Sequence, residues 1–161
     1  MKYLVLLITF LFSNICVATS QDIDYVIVNK TEKKMYLLSE GLKIREYNVV
    51  FGKNPEGHKQ QEGDERTPEG RYILDYKKEK SAFHKAIHIS YPNKDDVTSA
   101  KARGVDAGGS IMIHGQKNGF SSMSWVSQRF NWTNGCIAVT NFEMDEIWYL
   151  VKEGTPIEIV P

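Results

Sequence analysis

Short runs of alternating apolar and polar residues, separated by glycine and proline turns, dominate the chain after its first twenty residues. An alternation with a period of two is typical of strands that bury one face, so the pattern predicts a mostly β protein. Eight segments fit it: Asp24–Val28, Met35–Ser39, Lys43–Phe51, Arg71–Tyr76, Ala86–Tyr91, Ile111–His114, Cys136–Val139 and Ile157–Val160.

One segment near the end of the sequence has the period of a helix instead. Thr140 followed three residues later by Glu143 is a capping-box pattern, and Gly154 and Pro156 follow as stop signals. Apolar residues then fall on one helical face, at Met144, Ile147, Trp148 and Val151. We therefore expect a single-domain, mostly β sandwich with one or two short helices.

Length and composition support one globular domain of ordinary size. The 161 residues are 42% hydrophobic and 25% charged, which excludes a disordered or collagen-like chain. Twenty basic residues balance twenty acidic ones, so the chain lacks the basic surplus that nucleic-acid-binding proteins usually carry. Nucleic acid is therefore not expected as a partner.

The first twenty residues have the composition of an export signal. Lys2 precedes the apolar run Tyr3–Phe12, and small residues follow at Ala18 to Ser20. The run is shorter than the roughly 20 apolar residues that a membrane anchor needs. We predict a signal peptide at residues 1–20, a catalytic domain at residues 21–161, and a periplasmic or otherwise extracytoplasmic protein without stable membrane insertion after cleavage.

Cleavage of this signal removes Cys16 and leaves Cys136 as the sole cysteine. An apolar strand ends at His114, and a turn at Gly135 comes directly before Cys136. If the two strands are neighbours, the thiol and the imidazole would form a thiolate–imidazolium pair, the activated nucleophile of cysteine acyl-transfer enzymes. The residues alone leave open the alternative of an inert, buried cysteine and a hydrogen-bonded histidine.

The segment between these two residues is long for a connection. Residues 116–133 are polar but carry four large aromatic side chains, at Phe120, Trp125, Phe130 and Trp132. Loops of this length usually form a lid or a binding wall. His84 and His88 share a strand face without an evident third ligand, so no metal site is predicted.

These motifs together resemble the L,D-transpeptidase family, the YkuD-type catalytic domain. That family carries a His-Gly pair followed, after a loop, by Ser/Thr-His-Gly-Cys. Here His114-Gly115 is followed by seventeen residues and then by Thr133-Asn134-Gly135-Cys136. The segment Gly63–Tyr72 also resembles the family's Gly-Asp-x-Arg/Lys-Thr-Pro-x-Gly hairpin, and the resemblance extends over nearly all of the chain after residue 23.

The resemblance implies a mechanism, a substrate class and site residues. Cys136 would be the nucleophile and His114 the general base, oriented by the main-chain carbonyl of Gly115. Substrate contacts and the oxyanion hole would come from Trp132, Thr133, Asn134 and Gly135. The substrate would be a peptidoglycan stem peptide attacked at meso-diaminopimelate, through a thioester, without metal or cofactor.

Two positions depart from the family pattern, and several alternatives stay open. Asn134 stands where the family has histidine, and Ala138 where it often has arginine, which affects donor or acceptor choice. The acceptor could be another stem, a wall-anchored lipoprotein or water, so a carboxypeptidase or a lipoprotein-releasing amidase is an alternative. A non-catalytic wall-binding module and a secreted wall-damaging toxin are the others.

Overall fold

The computed structural model describes residues 22–120 and 123–161, so the predicted signal peptide at residues 1–20 lies outside the described residues. The strands are β1 (Tyr25–Asn29), β2 (Lys34–Ser39), β3 (Leu42–Asn48), β4 (Gly70–Ser81), β5 (His84–Ile89), β6 (Met112–His114), β7 (Ile137–Ala138) and β8 (Thr155–Val160). The helices are α1 (Lys94–Ala102), α2 (Ser124–Ser127) and α3 (Asn141–Leu150). Across the described ranges, none of the helices is long and apolar enough to cross a membrane.

All eight strands form one sheet in the order β3-β2-β1-β8-β4-β5-β6-β7. Most neighbours are antiparallel, but β1 pairs in parallel with β8, and β6 pairs in parallel with β7. The β6–β7 register places Ile113 opposite Ile137 and His114 opposite Ala138. Because β6 ends at His114 and Cys136 immediately precedes β7, this pairing fixes the two candidate catalytic residues on neighbouring strands.

The sheet curls until its two ends meet. Val50, just beyond β3, donates from its amide to Ala138 O at 3.0 Å and accepts from the Ala138 amide at 2.8 Å. A second bridge joins Gly52 to Thr133. The segment after β3 therefore closes the sheet over the turn that carries Cys136.

The core fills the inside of this curled sheet, and α3 packs against β5. Met144 and Ile147 of α3 are fully buried, as the helical pattern predicts. The predicted capping box is present, because Thr140 Oγ1 accepts from the Glu143 amide and Glu143 Oε2 accepts from the Thr140 amide. Sequence periodicity and end signals agree at this helix.

The prediction of a mostly β, L,D-transpeptidase-like fold is confirmed, and each of the eight predicted strands has a counterpart. The structure adds α1, whose N-terminus is capped by Asn93 and Asp96. Only Asp96 and Ala100 of this helix are buried, so its sequence has no apolar periodicity that could have predicted it. The structure also extends β4 to Ser81, well past the predicted end at Tyr76.

Candidate active site

A cavity of about 510 Å³ lies over the ends of β5, β6 and β7. Cys136 and His114 both line it, so the structure brings the two predicted catalytic residues into one space. The other lining residues are Lys78, Ser81, Ala82, Phe83, Ala86, Ser110, Met112, Lys117, Trp132, Thr133 and Asn134. The long 116–133 segment thus contributes to its wall, through Lys117 at one end and through Trp132 and Thr133 at the other.

His114 is 97% buried by its neighbours, with 3% of its surface exposed. Its Nδ1 lies 2.7 Å from Gly115 O. A carbonyl oxygen can only accept, so Nδ1 carries the proton and the lone pair is on Nε2. The Phe83 ring packs 4.6 Å from the imidazole and the Trp132 ring 5.7 Å from it, centroid to centroid. This arrangement holds the histidine as a neutral base of defined tautomer.

Burial sets the charge state of both groups. It lowers the pKa of His114, and the hydrogen bond to Gly115 opposes this only in part. Burial likewise raises the pKa of the Cys136 thiol, against a hydrogen bond from the Met112 amide and the charge of Lys59. Both shifts favour the neutral forms of the two groups, and the Cys136 thiol donates to Ser110 O at 3.7 Å. The thiolate–imidazolium pair stays a prediction.

The two glycines of the motifs are required by close packing. A Cβ on Gly115 would lie 2.6 Å from Asn141 Oδ1 and 3.0 Å from His84 Cβ. Gly135 has φ +116°, and a Cβ there would lie 2.6 Å from Arg66 O. Larger residues would displace the segments that carry His114 and Cys136.

Thr133 holds the shape of the turn before the cysteine. Its Oγ1 donates to Cys136 O at 2.7 Å and accepts from the Gly135 amide at 3.2 Å. The Gly135 amide is thereby engaged and is not available to an oxyanion. Among the described residues, the amides of Asn134 and Cys136 have no acceptor, which leaves them as the candidate oxyanion donors.

The predicted substrate-contacting residues therefore divide into two groups. Asn134 is exposed and Trp132 half-buried, and both line the cavity. Thr133 also borders the cavity, but its hydroxyl is engaged within the turn, and Gly135 is not among the lining residues. Thr133 and Gly135 thus shape the turn, whereas Asn134 and Trp132 face the cavity.

Sequence analysis missed the contribution of the β4–β5 hairpin to this cavity. Phe83 lies at the hairpin turn, and Lys78 and Ala86 are paired across it. Motif spacing holds no signal for them, since their place depends on β5 pairing with β6. The signal that could have found them is this pairing, in which Ala86 lies opposite His114.

The other three histidines each pair with a carboxylate away from the cavity. His58 contacts Asp96 at 3.1 Å, His84 contacts Asp145 at 2.9 Å, and His88 contacts Asp75 at 2.7 Å. Over residues 22–120 and 123–161, no group of three or more His, Cys, Asp or Glu side chains is placed to hold a metal ion.

Comparisons with known proteins give a consistent match. The family model of YkuD, the L,D-transpeptidase catalytic domain, matches residues 23–159. A protein of Escherichia coli that carries the provisional name L,D-transpeptidase YafK is 34% identical over 120 residues, which are 73% of this chain and 39% of that protein.

Solved structures with the same fold include the helical cell shape determining protein Pgp2 of Campylobacter jejuni. It is 27% identical with a TM-score of 0.65, over 85% of this chain and 47% of that one. An L,D-transpeptidase of Enterococcus faecium is 16% identical with a TM-score of 0.56, over 86% of this chain and 50% of that one, which shows the fold alone. The chain spans half or less of the length of these three proteins.

Proposed function

The chain belongs to the YkuD family of L,D-transpeptidase catalytic domains, and on that premise we propose that it is a cysteine acyltransferase acting on peptidoglycan stem peptides. The acyl donor is a stem peptide with meso-diaminopimelate before a terminal D-alanine. Cys136 takes up the diaminopimelate acyl group as a thioester, and an amine then accepts it. His114 and Gly115 are the other members of the proposed catalytic set.

The observation that supports this proposal most strongly is the arrangement of the cavity. One space is lined by a thiol and by a buried imidazole whose Nδ1 is held by Gly115 O at 2.7 Å. That hydrogen bond leaves Nε2 as the proton acceptor, and a carbonyl orients the base as a carboxylate does in other catalytic triads. The unpaired amides of Asn134 and Cys136 suit an oxyanion.

In the acylation step, His114 Nε2 takes the Cys136 proton as sulfur attacks the diaminopimelate carbonyl. Because burial favours the neutral forms of both groups, the proposal has this proton transfer accompany the attack. The carbonyl oxygen becomes an oxyanion that accepts from the Asn134 and Cys136 amides. His114 then gives its proton to the leaving nitrogen, the C–N bond breaks, and D-alanine departs.

In the second step the acceptor attacks the thioester carbonyl. His114 takes a proton from the incoming amine, the C–S bond breaks, and the proton returns to the sulfur of Cys136. An acceptor amine yields a new amide, and water yields a free carboxylate. The same residues thus support transfer and hydrolysis, and access of the acceptor decides between them.

This substrate also sets the compartment and the biological context. Peptidoglycan lies outside the cytoplasmic membrane, which agrees with the signal peptide predicted at residues 1–20. The likeness to a cell shape determining protein extends the proposal to a role in cell wall remodelling and cell shape. Attachment or release of a wall-anchored lipoprotein is a variant of the same chemistry with a protein lysine as the amine.

The test is incubation of the mature protein with purified peptidoglycan, followed by mass analysis of the products. We expect a thioester adduct on Cys136 and loss of D-alanine from tetrapeptide stems. New diaminopimelate–diaminopimelate links would indicate transfer, and tripeptides alone would indicate hydrolysis.

Cys136→Ser is the matched variant, because it keeps the size of the side chain but lacks a readily formed anion. We expect it to fold and to lose at least 99% of the activity, about 100-fold or more. A serine variant that retained the parent's turnover would contradict the mechanism.

A further inference from the structure

Two lysines line the active-site cavity in addition to the residues of the proposed mechanism. Lys78 comes from β4, and Lys117 follows β6 at the start of the long segment. Within the described part of the chain, the lining contains no Asp or Glu. Lys78 and Lys117 are the basic side chains among the lysines, arginines and carboxylates of this lining.

Lys78 is brought to the cavity by the register of the sheet. A single row of paired residues crosses four strands, from Lys78 on β4 to Ala86, His114 and Ala138. Directly opposed residues of neighbouring strands project from the same face. Lys78 is therefore on the same face as His114, two strands and about 10 Å away between Cα atoms.

The residue between Lys78 and His114 in this row has a small side chain. Ala86 is the member of the row on β5, and it is itself part of the cavity lining. A methyl group there does not fill the space between the lysine and the imidazole. The four-carbon stem of Lys78 can lie across Ala86 and bring its ammonium group towards a substrate held at Cys136.

The ammonium group of Lys78 has no partner among the described residues. No ion pair or hydrogen bond of its side chain exists among residues 22–120 and 123–161. Its neighbour Lys77 differs, because Lys77 Nζ donates to Trp148 O at 2.6 Å. Lys117 Nζ lies 5.8 Å from the centroid of the Phe120 ring. Both cavity lysines are thus available to an anionic ligand.

We propose that Lys78 and Lys117 form a carboxylate-binding subsite, so that the cavity selects acyl donors with a carboxylate close to the scissile amide. This inference rests on the proposed function, which supplies a donor with two such groups. One is the terminal carboxylate of the leaving D-alanine, and the other is the side-chain carboxylate of diaminopimelate. Either can form a charge-assisted hydrogen bond with a lysine.

The experiment measures binding, so that it does not depend on turnover. Calorimetry gives the Kd of a synthetic stem tetrapeptide for the Cys136→Ala protein and for the same protein with Lys78→Met, Lys78→Arg or Lys117→Met. Lys80→Met is the matched control, since Lys80 is an exposed lysine of the same strand that does not line the cavity.

We expect Lys78→Met to raise Kd about tenfold at low salt, equivalent to about 1.4 kcal/mol. Lys78→Arg should stay within threefold of the parent because it keeps the charge. Lys117→Met should raise Kd by a smaller factor, and Lys80→Met should leave it unchanged. The effect of Lys78→Met should shrink in 1 M salt, where the screening length falls to about 3 Å.

Two further peptides identify which carboxylate is bound. One has a carboxamide at its terminus, and the other has a carboxamide on the diaminopimelate side chain. The carboxamide peptide that lacks the bound carboxylate should have a Kd for the parent about ten times that of the tetrapeptide. Its Kd should not rise further when Lys78 is replaced by Met.

Equal Kd values for the parent and Lys78→Met, an equal effect of Lys80→Met, or no binding of the tetrapeptide would overturn the subsite. Absence of a Cys136 thioester with normal, Lys78-dependent binding would instead count against the proposed catalysis alone.

Discussion

At Cys136 and His114, burial outweighs the hydrogen bonds and charges that favour the ionised forms. The Met112 amide and the charge of Lys59 oppose the effect of burial at the sulfur, and the Gly115 carbonyl opposes it at the imidazole. A thiol in this state reacts slowly with small electrophiles that lack an oxyanion to stabilise. On the proposed mechanism, the reactivity of the thiol then depends on a bound substrate, which limits unspecific modification of Cys136.

The rate of alkylation of Cys136 as a function of pH tests this charge state. Because only the thiolate reacts, and burial raises the thiol pKa, we expect the rate to rise with an inflection above about 8.5, the value of a free cysteine. His114→Ala should abolish thioester formation on stem peptides, while the control His84→Ala should change neither measurement. An inflection well below 8.5 that disappears in His114→Ala would show a thiolate–imidazolium pair instead.

At the scale of elements, the 116–133 segment is anchored at both ends. The side chain of Gln116 is buried and donates from Nε2 to Val139 O at 2.9 Å, and Phe51 donates from its amide to Asn131 Oδ1 at 3.2 Å. Between these anchors the aromatic side chains of Phe120, Trp125 and Phe130 are exposed. Trp132 is different, because it lines the cavity beside His114 and Phe83.

Trp132→Ala should lower turnover on stem peptides about tenfold or more, by removing a wall that orients donor and base. Its effect on thermal stability should be small, since the side chain is only half-buried. Trp125→Ala is the control and should leave turnover unchanged, because Trp125 is 66% exposed and lies outside the cavity lining. A large fall in Tm with normal turnover per folded molecule would show that Trp132 serves the core.

The capping box of α3 gives a test of stability in isolation from catalysis. Thr140→Ala removes the acceptor for the Glu143 amide and should cost about 1 kcal/mol, or a fall in Tm of roughly 3 °C. Thr98→Ala is the control within α1, where the hydroxyl only donates back to Lys94 O, so a change within 0.5 kcal/mol is expected. Chemical unfolding gives the free energy of unfolding of both variants. Equal decreases in the two variants would contradict the role of the cap.

The success of sequence analysis differed from element to element for identifiable reasons. Strong periodicity and end signals located every strand of the sheet and α3. The first four residues of α1 contain no apolar group except Val97. The cap at Asn93 is therefore the sequence signal that indicates the start of this helix. The contributions of Phe83 and Lys78 depend on which strands are neighbours, and period-two patterns do not encode strand order.

At the scale of the whole molecule, folding traps His114 in its neutral form. The imidazole pKa is lowered in the folded state, so the unfolded chain binds this proton at a higher pH. The free energy of unfolding therefore decreases as the pH falls below about 6.5, the pKa of an exposed histidine. The loss continues until the folded-state pKa is reached.

Unfolding by urea between pH 7.5 and 5.5 checks this linkage. The free energy of unfolding of the parent should fall towards low pH with a slope approaching about 1.4 kcal/mol per pH unit from this one group. The glutamine of His114→Gln does not titrate, so the slope of this variant should be smaller by that amount. Parallel curves for the two proteins would refute the assignment of the burial effect to His114.

The parallel pairing of β1 with β8 also governs the order in which the chain can fold. Val26 lies opposite Ile157, so a central pair of the sheet joins segments from the two ends of the described chain. Closing so long a loop is entropically costly and makes such contacts late and slow to form. During synthesis β1 can pair early with β2, but its other edge stays unpaired until β8 emerges. The centre of the sheet is therefore joined only after β8 has been made, so the complete sheet forms late in folding.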